Sequence, residues 1–69
     1  AMTNDLHAAV VDLDKAIELD ATLAEAWYNR GIVQVLLGRM DEAFRDLSKA
    51  GELGIYSAYN IIKRFSGSE

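Results

Sequence analysis

Cysteine and proline are both absent from these 69 residues, and histidine occurs once, at His7. Without cysteine no disulfide can staple so short a chain, and without grouped His or Cys no structural zinc can take its place. Packing has to hold it, and a core of this size supplies only roughly 3–5 kcal/mol. Basic clusters are missing as well. A formal charge of −4 and a pI near 4.8 argue against a nucleic-acid partner or an anionic membrane surface, both of which need clustered Lys and Arg. The one adjacent basic pair, Lys63-Arg64, falls at the end of a predicted helix, where it complements the helix dipole. No stretch approaches the roughly 20 apolar residues of a membrane span, and no leader pattern opens the chain. Ala1-Met2 reads as a remnant ahead of an internal fragment, so the missing leader carries no information on compartment. A soluble setting, cytoplasmic or periplasmic, is expected.

Chemistry is equally scarce. There is no nucleophile motif, no glycine-rich phosphate loop and no metal-ligand spacing, so neither an enzyme nor a cofactor or metal site is expected. His7 reads as a surface residue. Asp12, Asp14, Glu18 and Asp20 lack the loop spacing of a calcium site and read as a solvated acidic face. Asp41 with Arg45, and Asp46 with Lys49, read as helical ion pairs.

What the chain does have is a near-repeat at 34 residues. Leu6 to Leu19 laid on Met40 to Leu53 gives seven identities in fourteen positions: Ala9/Ala43, Asp12/Asp46, Leu13/Leu47, Lys15/Lys49, Ala16/Ala50, Glu18/Glu52 and Leu19/Leu53. A period of about 34 is that of a helix-turn-helix solenoid unit, too thin to bury its own apolar face and obliged to stack on a neighbour. That points to a scaffold rather than a catalyst.

The segment between the copies runs Ala24-Glu25-Ala26-Trp27-Tyr28-Asn29-Arg30-Gly31, with Leu37-Gly38 following and Ala43 and Leu47 beyond. It resembles the tetratricopeptide repeat (TPR). The family pattern, Trp-x-x-Leu-Gly-x-x-Tyr, then Ala-x-x-x-Phe and a closing Pro, falls on Trp27, Arg30, Gly31, Gln34, Ala43, Leu47 and Ile55. Trp27, Gly31 and Ala43 match, and Leu47 exchanges one bulky core residue for another. Arg30, Gln34 and Ile55 depart. The first two put polar groups at a helix contact, which is expected to be looser or to rely on aliphatic stems. Lys49 to Gly54 followed by Ala58-Tyr59-Asn60 also resembles the junction of a Sel1-like repeat. The resemblance implies an all-α fold: antiparallel helix-turn-helix repeats in a right-handed solenoid fragment of four helices.

Apolar spacing places the elements. A first helix runs from Asn4 or Asp5 to Leu19, with Leu6, Ala9, Val10, Leu13, Ala16 and Ile17 at three-four spacing. Thr22 and Glu25 form a capping-box pattern that opens a second helix, which Gly38 closes. Asp41 opens a third, on the stripe Ala43, Phe44, Leu47, Ala50 and Leu53, and Gly54 ends it. Gly51 inside that helix implies that another helix passes close. A fourth lies within Ile55 to Phe65, in one of two registers. At an offset of 34 Ala58 stands opposite Ala24 and Ile61 opposite Trp27; at 31 Tyr59-Asn60 stands opposite Tyr28-Asn29, with a connection three residues shorter. In either case it is expected to stack on the second helix. The tail Ser66 to Glu69 is polar and expected to fray. The chain therefore divides into the second helix of a truncated repeat (5–20), a complete repeat (22–53) and a terminal or capping helix (55–65).

Trp27, with Gly31 and Val35, reads as core. The second helix has a further apolar face through Tyr28, Ile32 and Leu36, and in a TPR-like array the first helix of each repeat lines the concave groove. Tyr28, Asn29, Ile32 and Leu36, with Asn60 on the last helix, are therefore the candidate contacts for a peptide or partner protein. The alternative is that the neighbouring helices make Tyr28, Ile32 and Leu36 core. An Asn amide both donates to and accepts from an extended backbone. TPR domains that grip a C-terminal carboxylate surround such an Asn with Lys and Arg, whereas Tyr28 and Ile32 are uncharged, so apolar contacts are expected instead. The first helix has lost its hairpin partner, so its stripe, with Leu6, Val10 and Ile17 as candidates, has to be exposed or buried against another chain. A self-associating or capping module, a homodimer among the options, is the alternative to a binding scaffold.

Overall fold

The spacing is realised as four helices in a computed structural model that describes residues 3–67: α1 (Thr3–Leu19), α2 (Ala24–Leu36), α3 (Met40–Glu52) and α4 (Ser57–Ser66). Ala1-Met2 and the Ser68-Glu69 end of the tail lie outside the described residues. The connections 20–23, 37–39 and 53–56 are short, so neighbours are antiparallel and pack in chain order, α1 on α2, α2 on α3 and α3 on α4. The short dimension of the molecule is only 15 Å, little more than one helix diameter of about 10–12 Å. No helix can therefore be enclosed all round, which is the all-α, solenoid-like arrangement that the period implies.

Two of the three turns are made by glycine. After α2 the N–H of Gly38 donates to the carbonyl of Val35 and that of Arg39 to Gln34; after α3 Gly54 donates to Gly51 and Ile55 to Ala50. Both are Schellman closures, and both need a left-handed residue, which Gly38 (φ 83°) and Gly54 (φ 122°) supply without a Cβ clash. The first turn is built differently from the capping box expected there. Thr22 does not cap α2, whose N-cap is Leu23 with no side-chain bond. The N–H and hydroxyl of Thr22 both donate to Asp20 Oδ1, at 3.0 and 2.6 Å, closing an Asx turn. The indole N–H of Trp27 then donates to the Ala21 carbonyl at 2.9 Å and fixes the turn against α2.

The core sits on α3. Leu47, Ala50 and Ala58 are fully buried, and Trp27, Tyr28, Ile32 and Val35 of α2 and Ile61 and Ile62 of α4 pack against them. Close approach of α2 and α3 requires Gly31: a Cβ there would lie 2.7 Å from Leu47 Cγ and 3.2 Å from the Ala43 carbonyl oxygen. Gly51 does the same for α4, since a Cβ would meet the Tyr59 ring at 2.4 Å. α4 accordingly leans on α3, rather than stacking chiefly on α2 as expected. Its start stands 33 residues after that of α2, and the two preceding connections, 20–23 and 53–56, are equal in length, so the connection is not shortened.

Candidate functional site

Three surfaces meet on α2, and the burial of its residues separates them. Ala26, Gly31 and Gln34 are buried, Asn29 and Leu36 are exposed, and Tyr28 and Ile32 are partly buried against the core of Leu47, Ala50 and Ala58. Of the candidate groove contacts, Asn29 and Leu36, the latter 65 % exposed, thus project from α2, with Asn60 exposed on α4. Tyr28 and Ile32 pack against that core and are only partly open to solvent. Tyr59 on α4 is 41 % exposed, with its ring against Gly51.

The opposite side of α2 is polar, and here the structure departs from expectation. Arg30 does not loosen the helix contact. Its Nε and Nη2 donate to Asp46 Oδ2 and Oδ1 of α3 at 2.8 and 2.9 Å, and its Nη1 donates to Asp14 Oδ1 of α1 at 2.5 Å. Asp46 is buried, Arg30 nearly so and Asp14 half-exposed, so the bidentate pair sits where water screens it least. The two carboxylates hold the guanidinium's pKa above its already high ordinary value, Asp46 contributing most, and it is charged at every pH the fold meets. The guanidinium lies 5.1 Å from the centroid of the Trp27 ring, a cation–π contact. Trp27 is accordingly only partly buried, not a fully enclosed core residue. Asp14 belongs to this network rather than to a solvated acidic face, and Asp46 pairs across helices rather than with Lys49. Lys49 instead approaches Glu52 at 3.9 Å, and no Asp41–Arg45 pair forms among the described residues.

Gln34, the other departure from the family pattern, is buried with its Nε2 donating weakly to Glu42 Oε1 at 3.4 Å and its Oε1 unpartnered among the described residues. Val10, Asp14, Trp27, Arg30 and Gln34 line one side of a cleft of about 510 Å³, with Arg39, Glu42, Arg45 and Asp46 on the other.

On α1 the expected seam divides. Ile17 is buried, at 9 % exposure, whereas Val10, which lines the cleft, and Leu6 are partly buried. The reason lies in the direction of the α1–α2 contact. The face toward α2 carries Val10, Asp14 and Ile17, while Ala9, Leu13 and Ala16 remain partly buried and Asp12 exposed. His7 is exposed, and no group of three or more His, Cys, Asp or Glu side chains able to hold a metal occurs among the described residues. No described helix is long and apolar enough to cross a membrane.

Comparison with curated proteins and with solved structures returns no match. The family model for the TPR repeat matches residues 3–38, which take in α1, α2 and the turn that Trp27 fixes. The Sel1-like junction lies beyond that match. Spanning more than half of the sequence and carrying Trp27 and Gly31, the match establishes that the chain belongs to the tetratricopeptide-repeat family.

Proposed function

We propose that this chain is a non-enzymatic binding module that holds a peptide or a segment of a partner protein along the exposed face of α2 and onto α4. Repeats of its family generally mediate protein–protein interaction. In this reading α2 and α3 make one complete repeat, α1 the second helix of a preceding one, and α4 a terminal helix. The observation that carries the proposal is the coexistence on α2 of an exposed amide, Asn29, and an exposed leucine, Leu36, beside the partly open Tyr28 and Ile32. Asn29 donates to and accepts from the backbone of an extended segment, and Asn60 does so one helix on. Leu36, Ile32 and Tyr59 receive its apolar side chains. Removing Leu36 from water supplies about 25 cal/mol for each Å² covered.

The test is selection of peptides from a random library on the intact chain, followed by mapping of the tightest binder by amide shifts. Shifts confined to Asn29, Ile32, Leu36 and Asn60, with affinity lost in Leu36→Asp, are the expected result. Binders that map to the cleft beside Arg30 and ignore Leu36→Asp overturn it. Self-association, the second reading, has its support in the exposed apolar side chains of Val11 and Leu19 on α1.

A further inference from the structure

The cleft on the polar side of α2 carries polar groups that the fold does not use. Arg30 is fully engaged there by Asp14 and Asp46. Arg39 and Arg45, exposed on the α3 rim, enter no ion pair and no side-chain hydrogen bond among the described residues. Glu42 stands between them in the chain, three residues from each, so the three are neighbours on the helix surface. Its carboxylate receives only the 3.4 Å contact from Gln34 Nε2. Beneath this rim Gln34 is 6 % exposed, and its Oε1 accepts nothing among the described residues. A buried acceptor without a donor destabilises the fold, and a donor that reaches it removes that cost. The terminal torsion of a glutamine is soft, so a small turn suffices to present Oε1 beside Glu42.

We propose that the cleft binds a small zwitterion, an α-amino acid with a large apolar side chain. Its ammonium, three donors with a positive charge, meets Glu42 and Gln34 Oε1, and its carboxylate meets Arg39 or Arg45. Its side chain lies along Val10 and Trp27, the apolar part of the lining. The volume, about 510 Å³, falls in the range of small-molecule sites.

Charge selects this ligand over simpler ones. The lining sets three arginines against Asp14, Glu42 and Asp46, so it is neutral as a whole and favours neither a bare anion nor a bare cation. The C-terminus of a peptide fits less well. Its last N–H would satisfy Gln34 but leave Glu42 facing a second carboxylate, whereas a free ammonium serves both acceptors. The site lies on the side of α2 away from Asn29 and Leu36, and it does not depend on a peptide in that groove.

L-phenylalanine titrated into the isotopically labelled chain is the test. Saturable shifts should gather on the Trp27 indole, on the backbone and side-chain amides of Gln34 and on residues 39–45. Glu42→Gln, and separately the pair Arg39→Gln/Arg45→Gln, alter exposed side chains, so the fold should be unchanged and binding should weaken by about fivefold or more, the worth of an exposed ion pair. Gln34→Leu removes the orphaned acceptor. It should fold at least as well and bind about tenfold more weakly, a loss that a purely structural glutamine would not produce. Phenylalaninamide and N-acetylphenylalanine each lack one of the two charges and should also lose about tenfold. Equal binding by N-acetylphenylalanine would assign the cleft to peptide C-termini and overturn the inference. So would an affinity unchanged by Glu42→Gln, shifts centred on Asn29 and Leu36, or the absence of saturable shifts at millimolar concentrations.

Discussion

Arg30 shows how a residue that looks misplaced in a helix stripe can be the most connected one in the molecule. It reaches Asp14 and Asp46, each sixteen positions away and on a different helix, while its face rests on Trp27. Arg30→Met leaves Asp46 buried without a counter-charge, and the loss should be about 3–5 kcal/mol, enough to unfold most of so small a domain. The double variant Arg30→Met/Asp46→Leu removes the orphaned charge together with its partner and should be the more stable of the two. Urea titration by circular dichroism separates them; a double variant less stable than Arg30→Met would mean that the pair adds net stability rather than merely avoiding an unpaired charge. None of this was legible locally. The TPR pattern has an apolar residue at the Arg30 position, and only the repeat identity Asp12/Asp46 hinted that an aspartate belonged to the helix contact. A hydrophobic stripe cannot register that hint, because it scores Asp as solvent-facing.

At the scale of elements, the helices and two of the turns follow directly from spacing. Apolar residues recur at three and four positions, and Gly38 and Gly54 stand where left-handed residues are needed. The turn between α1 and α2 did not follow, because α2 takes Leu23 rather than Thr22 as its N-cap. Thr22 and Glu25 satisfy the capping-box pattern, yet Asp20 takes both donors of Thr22. Those two bonds hold the Asp20 carboxyl below its ordinary value of 3.8, the side-chain bond contributing more than the backbone one. A lowered folded pKa means that the native turn binds its proton less readily than the unfolded chain does. Its contribution is thus complete above the ordinary value and is lost as pH falls through the lowered one. Asp20→Asn keeps an acceptor but cannot titrate. The difference in urea midpoint between wild type and Asp20→Asn should therefore shift in favour of Asn on going from about pH 5 to about pH 2. A difference that stays constant over that range would assign the acid sensitivity of the fold to other carboxylates.

For the whole molecule, order of packing sets order of stability. α3 is gripped by α2 on one side and α4 on the other, and it carries more buried residues than any other helix. α1 touches the body chiefly through α2, by Ile17, the Asp14–Arg30 pair and the residues around Val10. In a slab 15 Å thick no second layer compensates for that one-sided contact. In a solenoid, where each element gains stability only from its neighbours, the outer helix with one neighbour opens first. Hydrogen exchange should accordingly find the amides of α1 least protected among the longer helices and those of α3 most. Asp14→Ala then discriminates between local and global opening. Asp14 is half-exposed, so its bond to Arg30 is worth no more than about 1 kcal/mol, and exchange in α1 should quicken by about fivefold at most. Protection in α3 should not change, because Asp46 keeps both of its bonds to Arg30. If Asp14→Ala instead speeds exchange equally in all four helices, the chain opens as one cooperative unit.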